Sequence, residues 1–207
     1  DALINFDLRS TQKESNQTVF DRYNNTLRNK MKGKSVMSYI TSHDDGSPFD
    51  KDRQNPWDAG TRLLLAPGIS QIYYGDETAR PLEIEGVDGD ANLRSNMNWE
   101  DIKPNSETES LLNHYQKLGQ FRRNHPAVGA GNQTDLQNSP YIFTRKYKTD
   151  EVVIGLEMPI GKKTINVSFV WKDGTKVRDA YSGFSGKVVN GNLELNTTSD
   201  IVLLEKV

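Results

Sequence analysis

The 207-residue sequence has no cysteine. Disulfides and thiolate metal sites are therefore excluded, while the redox compartment stays open. It also lacks a charge bias. Its 26 Lys and Arg stand against 28 Asp and Glu, a formal net charge of −2, so bulk electrostatics gives no reason to expect nucleic acid or an anionic membrane as partner. No apolar run approaches the roughly 18 residues of a membrane span, and the first residues do not read as a signal peptide. There is no internal repeat and no low-complexity tract. Histidine is scarce, at three, which limits metal chemistry. What is present suits a folded chain: 34% hydrophobic and 26% charged residues, in a length that accommodates one large domain or two small ones.

Two periodicities divide the sequence. Residues 2–8 begin it as an apolar, strand-like run. Residues 18–31 place Val19, Tyr23, Leu27 and Met31 on one helical stripe, and Gly33 follows as a helix stop. A strand at 36–40 comes next. Asn55 and Pro56 read as N-cap and first helical position of a helix over 57–65, and residues 69–74 read as another buried strand. Strand, helix, strand, helix, strand implies parallel pairing with right-handed crossovers. Residues 75–99 form a long polar loop. Its Asp88-Gly89-Asp90-Ala91-Asn92 run has the spacing of a calcium-loop start but no later Glu, so it reads as a turn-rich loop. Ser106 and Glu109 form a capping box for a helix reaching Asn124, with Leu111, Leu112, Tyr115, Leu118 and Phe121 on one face, and His125-Pro126 ends it. His114 and His125 have no ligand-type neighbours and read as structural or solvated.

From about Gly131 short strands take over: 141–147, 151–157, 164–170, 187–189, 193–195 and 201–204, separated by turn residues. Asn190-Gly191 is a hairpin signal. The expected organisation is therefore residues 1–130 as one part and 131–207 as a small antiparallel β domain, a sandwich.

The stretch 36–52, VMSYITSHDDGSPFDKD, is where chemistry is expected. An apolar strand stops abruptly at His43, Asp44 and Asp45, ahead of Gly46 and Pro48. A buried parallel strand with ionisable side chains at its C-terminal end is where α/β enzymes place their sites. A polar strand exit closed by Asx turns has the same composition, and the residues alone leave both readings open.

Tyr39-Ile40-Thr41-Ser42-His43-Asp44 resembles the fourth signature segment of the α-amylase family of glycoside hydrolases. Residues 64–77, LLAPGISQIYYGDE, resemble that family's helix seven, turn and strand eight. Arg94-Ser95-Asn96-Met97-Asn98-Trp99 resembles the Arg-x-Pro-Met-x-Trp segment after strand eight, with Asn96 where the family has proline. The resemblance implies an α/β fold: the C-terminal part of a (β/α)8 TIM barrel, strands six to eight, followed by a small antiparallel β-sandwich domain. It implies a retaining glycosidase acting on α-glucans such as starch and maltooligosaccharides. Asp44 then stabilises the oxocarbenium-like transition state, and His43 hydrogen-bonds the same sugar hydroxyls. An acceptor-only carboxylate suits a polyol, and its charge suits a developing cation. Arg94 is expected to bind substrate. Arg53 is expected either to do so or to pair with Asp50. Tyr73, Tyr74 and Trp99 could stack on sugars, with buried packing the reading for the two tyrosines.

A retaining glycosidase also needs a nucleophile and a general acid, about 5–5.5 Å apart. The family's nucleophile lies in a Gly-x-Arg-x-Asp segment. Here Gly60-Thr61-Arg62-Leu63-Leu64 has Leu at the critical place, and nothing else fits. The full-length protein is thus expected to be an α-amylase-type enzyme and this chain alone inactive. No cofactor or metal is expected in the chain, with calcium left open for the full-length enzyme. An α-glucan is the expected partner, self-association through an open barrel face is expected, and an extracellular or periplasmic location is favoured over a cytoplasmic one. Two other classes compete. His-Asp is also a ligand pair of metal-dependent phosphohydrolases, which need further His and Asp ligands. A non-catalytic carbohydrate-binding or interaction module with an amylase-like fold is the second.

Overall fold

A computed structural model describes residues 1–207. The chain divides into two units, Asp1–Gly119 and Gln120–Val207. The division falls within a helix, ahead of Gly131 where the sequence pattern changes.

In the first unit, β1 (Ala2–Asn5), β2 (Ser35–Ser38) and β3 (Ile69–Ser70) form a parallel sheet in the order β1-β2-β3. Leu3 lies opposite Val36, and Met37 opposite Ile69. Helices α1 (Asn16–Arg28) and α2 (Pro56–Leu65) make the two crossovers. Ser15 caps α1 by accepting the amide of Thr18. Val19, Phe20 and Tyr23 form its buried face, and the helix stops at Arg28, before Met31 can join the stripe. Nearly all of α2 is buried. Pro56 takes the first position as expected, but the Asn55 side chain makes no cap bond. Instead the Asp50 carboxylate accepts the amides of Gln54 (2.9 Å) and Asn55 (2.9 Å) just upstream. Arg62 in α2 is buried and satisfied by the Glu14 carbonyl (2.8 Å) and the Asn16 side chain (3.0 Å), which ties the start of α1 to α2. Gly60 has a packing role, because a Cβ there would sit 2.6 Å from the Tyr115 ring.

All three expected strands of this unit are shorter than read. β1 ends at Asn5, ahead of a 3-10 turn over Leu8–Ser10. β2 ends at Ser38, although Tyr39 and Ile40 remain buried. β3 is two residues long, because after Gln71 donates to the Ser38 carbonyl (2.8 Å) the chain leaves the sheet and turns at Gly75. The strand-like composition of 71–74 therefore does not report sheet pairing, and Ile72 and Tyr74 are exposed.

Helix α3 (Glu107–Asn124) follows the long loop. Ser106 Oγ accepts the Glu109 amide (3.0 Å), and the Glu109 carboxylate accepts the Asn105 amide (2.7 Å). This is the expected capping box with its return arm one residue earlier. His114 is buried, its Nε2 lying 3.1 Å from Thr61 Oγ1 and 3.1 Å from the Trp57 carbonyl.

The second unit holds the end of α3 and then α4 (Pro126–Ala130). Its main sheet has six antiparallel strands in the order β4-β5-β6-β11-β8-β9, made of β4 (Asn132–Gln137), β5 (Tyr141–Tyr147), β6 (Asp150–Leu156), β8 (Lys176–Asp179), β9 (Ser185–Lys187) and β11 (Val202–Lys206). A two-stranded sheet pairs β7 (Gly161–Asn166) with β10 (Asn192–Thr197). Ile142, Val153, Ile165, Val177, Leu193 and Val202 meet in one core, so the unit is a β-sandwich. Asn190 and Gly191 adopt φ of 50° and 73°, and Val189 and Asn192 exchange both backbone bonds. The expected two-residue turn forms, but its flanking strands part: β9 pairs with β8 and β10 with β7. The turn joins two sheets. His125 is structural, with Nδ1 2.9 Å from Asp150 and Nε2 2.6 Å from Glu205.

Candidate active site

The site grows from the C-terminal end of β2. Tyr39 and Ile40 stay buried, and Phe49 returns its amide to the Ile40 carbonyl (2.8 Å), which closes residues 41–48 into a loop at the strand exit. The two adjacent acids in this loop have different fates. Asp45 is held inside: it accepts the Tyr39 hydroxyl (3.0 Å), pairs with Arg9 Nε (2.5 Å), and its side chain is 17% exposed. Burial and the neighbouring Asp45 charge hold the Tyr39 phenol above its ordinary value. Asp44 points the other way. Its side chain is 61% exposed, accepts the Ser42 hydroxyl (3.0 Å) and lies 3.6 Å from His43 Nε2, itself 62% exposed. The loop therefore presents one carboxylate and one imidazole to solvent at a strand end.

A second loop buttresses the first. Arg94 donates from Nε to the His43 carbonyl (3.1 Å), so it touches the His-Asp loop directly. Arg80 holds Arg94's neighbours: it is fully buried and donates to the Leu93 carbonyl (3.0 Å) and Ser95 Oγ (2.5 Å), with its guanidinium 4.3 Å from the centre of the Tyr74 ring. Tyr73 and Tyr74 donate their hydroxyls to the Leu93 and Ser95 carbonyls, each at 2.9 Å. Neither tyrosine is buried in a strand as expected. Tyr74 is exposed, because the chain has already left the sheet. Tyr74, Arg94, Met97, Trp99 and Glu100 line a cleft of about 540 Å³.

Arg53 does not pair with Asp50, whose carboxylate is taken by backbone amides. It adopts a φ of 53°, donates from Nε to the Arg80 carbonyl (2.9 Å) and forms an ion pair with Asp76 at 3.0 Å. The Arg53 side chain is 9% exposed and Asp76 is wholly buried. Burial pushes the Asp76 carboxyl up from its usual range, and Arg53 opposes that shift. Asp76 and Arg80 were not singled out in the sequence. Both lie in the polar run Gly75-Asp76-Glu77-Thr78-Ala79-Arg80, where nothing in the sequence marks them as buried.

No group of three or more His, Asp or Glu side chains is placed to hold a metal ion.

No family model matches the chain. Over 157 residues, 74% of its length, it is 38% identical to the periplasmic alpha-amylase of Escherichia coli. The α-amylase of Geobacillus thermoleovorans complexed with acarbose superposes on 99% of it with a TM-score of 0.68, at 19% identity. The chain belongs to the α-amylase family. AmyP in complex with maltose gives a TM-score of 0.68 over 98% of the chain, at 18% identity. The chain spans 22% of the Escherichia coli relative, 48% of the Geobacillus enzyme and 49% of AmyP. In this α-amylase-family chain, β1 to β3 are the sixth to eighth strands of a (β/α)8 barrel and the sandwich is its C-terminal β domain. The His-Asp loop lies at the C-terminal end of a barrel strand, the face where this architecture carries its sites.

Proposed function

We propose that this chain supplies one side of the α-glucan site of an α-amylase-type retaining glycosidase, with Asp44 as the carboxylate that stabilises the transition state. The observation that carries the reading is the sorting of the acid pair. Asp45 is consumed by Arg9 and Tyr39, while Asp44 faces solvent at the strand exit beside His43, with Arg94 fastened to the same loop. An exposed carboxylate can accept hydrogen bonds from sugar hydroxyls and oppose positive charge developing at an anomeric carbon. His43 and Arg94 add donors for the same polyol.

The nucleophile and general acid come from the rest of the barrel, because Gly60-Thr61-Arg62-Leu63-Leu64 lies in α2 and offers no carboxylate. The longer enzyme hydrolyses α-glucans and this chain alone does not. Maltose and acarbose in the two neighbouring structures, and the periplasmic location of the Escherichia coli relative, support an α-glucan ligand and an exported enzyme. Any calcium would be held elsewhere in the longer enzyme. Leu3, Ile4, Phe6, Ile69 and Ile72 are exposed on or beside the parallel sheet, so the separate chain associates with itself through these apolar residues. A module that binds carbohydrate without chemistry is the second reading. The test is Asp44→Asn in a protein in which this chain is preceded by the nucleophile- and acid-bearing strands. The enzyme reading expects kcat to fall by about 10²–10³, and a binding module shows no turnover to lose.

A further inference from the structure

We infer that Asp76 is a positioning residue for the His-Asp loop, an inference that rests on the α-glucan reading above. Its buried carboxylate draws Thr41 and Arg53, the two ends of that loop, to one point and so sets where Asp44 stands. Asp76 opens a 3-10 turn over Asp76–Thr78 and is wholly buried. Burying a carboxylate is costly unless it is paired and hydrogen-bonded. Arg53 Nη2 lies 3.0 Å from Asp76 Oδ1. Thr41 is also buried, and its hydroxyl has no aligned partner. That hydroxyl faces Asp76: burial pushes the Asp76 carboxyl up, and Arg53 and Thr41 oppose the push. Any further barrel strands would only deepen this burial.

Thr41 and Arg53 bracket the functional residues. His43 and Asp44 come just after Thr41, and no helix or strand forms between Thr41 and Arg53, so fastenings at the base of the loop decide where it runs. Arg53 is held at a φ of 53°, a region that residues other than glycine seldom occupy. Such a conformation persists where the surroundings over-determine it. Here the ion pair to Asp76 and the Nε bond to the Arg80 carbonyl (2.9 Å) do so. Arg80 in turn holds Leu93 and Ser95, on either side of Arg94, and Arg94 donates to the His43 carbonyl. Asp76 therefore stands at the root of both supports of the loop. The groups that face it are Thr41 and Arg53 from the loop, Glu77 beside it, and Tyr115 of α3, whose phenol is raised by burial and by the Asp76 charge; Asp50 acts on the same phenol. Arg53 is the one cation among them. A proton taken up by Asp76 as the pH falls leaves Arg53 without its counter-charge.

The test is steady-state hydrolysis of maltoheptaose, across pH, by this chain joined to the strands that carry the nucleophile and acid. Asp76→Asn keeps the shape and removes the charge. At neutral pH it should lower kcat about tenfold with KM within about twofold of wild type. The wild-type-to-variant ratio of kcat should fall towards one on acidification, where a protonated Asp76 matches asparagine in charge. Thr41→Val should also lower kcat without raising KM, and the two effects should not add. Thr41→Val supplies the kcat-against-KM readout if Asp76→Asn does not fold. A folded variant with unchanged kcat, or with its whole loss in KM, overturns the positioning role, as does an Asp76→Asn loss that is constant with pH. In each of these cases the α-glucan reading stands if Asp44→Asn still loses kcat, and falls if it does not.

Discussion

Replacing Arg53 with methionine strips the only charge partner from a buried carboxylate. Asp76 is 0% exposed and its ion pair with Arg53 spans 3.0 Å. Neither Asp76 oxygen has an aligned hydrogen-bond donor. Removing one member of a buried pair costs about 3–5 kcal/mol, a large share of the roughly 5–15 kcal/mol that holds a domain folded. The carboxylate has one escape, which is to take up a proton. Burial already raises the Asp76 carboxyl above its unfolded value, so the folded state binds more protons than the unfolded state between those two values. Stability from this group is present at low pH and is lost as pH rises through the folded value. Without Arg53 that value rises further, so the penalty for Arg53→Met should be largest near neutral pH and shrink towards pH 5. Urea unfolding followed by circular dichroism at several pH values measures both effects. Asp76→Asn in the same background should recover part of the loss. An Arg53→Met midpoint equal to wild type at neutral pH would refute the reasoning, as would a penalty that grows on acidification. Arg53 also ties residues 44–53 to the Arg80 carbonyl, so the variant should loosen the loop that carries Asp44.

Two further outcomes follow from burial. Leu3, Ile4, Phe6, Ile69 and Ile72 together forgo roughly 4–8 kcal/mol of apolar burial, so light scattering on the purified chain should show concentration-dependent self-association that Phe6→Ser with Ile4→Ser reduces; a wild-type monomer at high concentration would contradict this. Tyr23, Tyr39, Tyr73, Tyr115 and Tyr181 are all held above their ordinary value, chiefly by burial, Tyr181 to about 12; the folded state then keeps these protons while the unfolded state loses them, so stability should fall as pH rises past about 10, and absorbance at 295 nm should lag a free-tyrosine titration until the chain unfolds.

The elements that sequence identified well were those in which local signals agree. Ser106 with Glu109 specifies a helix start, and the apolar strand at 141–147 pairs along its whole length as β5. Strand β4 escaped notice because Asn132–Gln137 is almost wholly polar and is an edge strand that needs little apolar surface. Strand β8 escaped because only Val177 marks the inward face of Lys176–Asp179. The strand expected at 69–74 was misjudged for the opposite reason: Ile72, Tyr73 and Tyr74 have strand-like composition, but the chain leaves the sheet after Gln71. At the site, family resemblance pointed to Asp44, yet composition could not distinguish Asp44 from Asp45. That distinction depends on Arg9, more than thirty residues away, which turns Asp45 inward. The Arg53–Asp50 pairing was misjudged on the same grounds, because the partner of Arg53, Asp76, lies on the far side of α2 in sequence.

The most direct test of the central claim is steady-state hydrolysis of maltoheptaose by this chain joined to the barrel strands that carry the nucleophile and acid. Asp44→Asn should lower kcat by about 10²–10³ with KM within a few-fold of wild type, and the 207-residue chain alone should give no turnover. Unchanged kcat in Asp44→Asn, or hydrolysis by the isolated chain, would contradict the account.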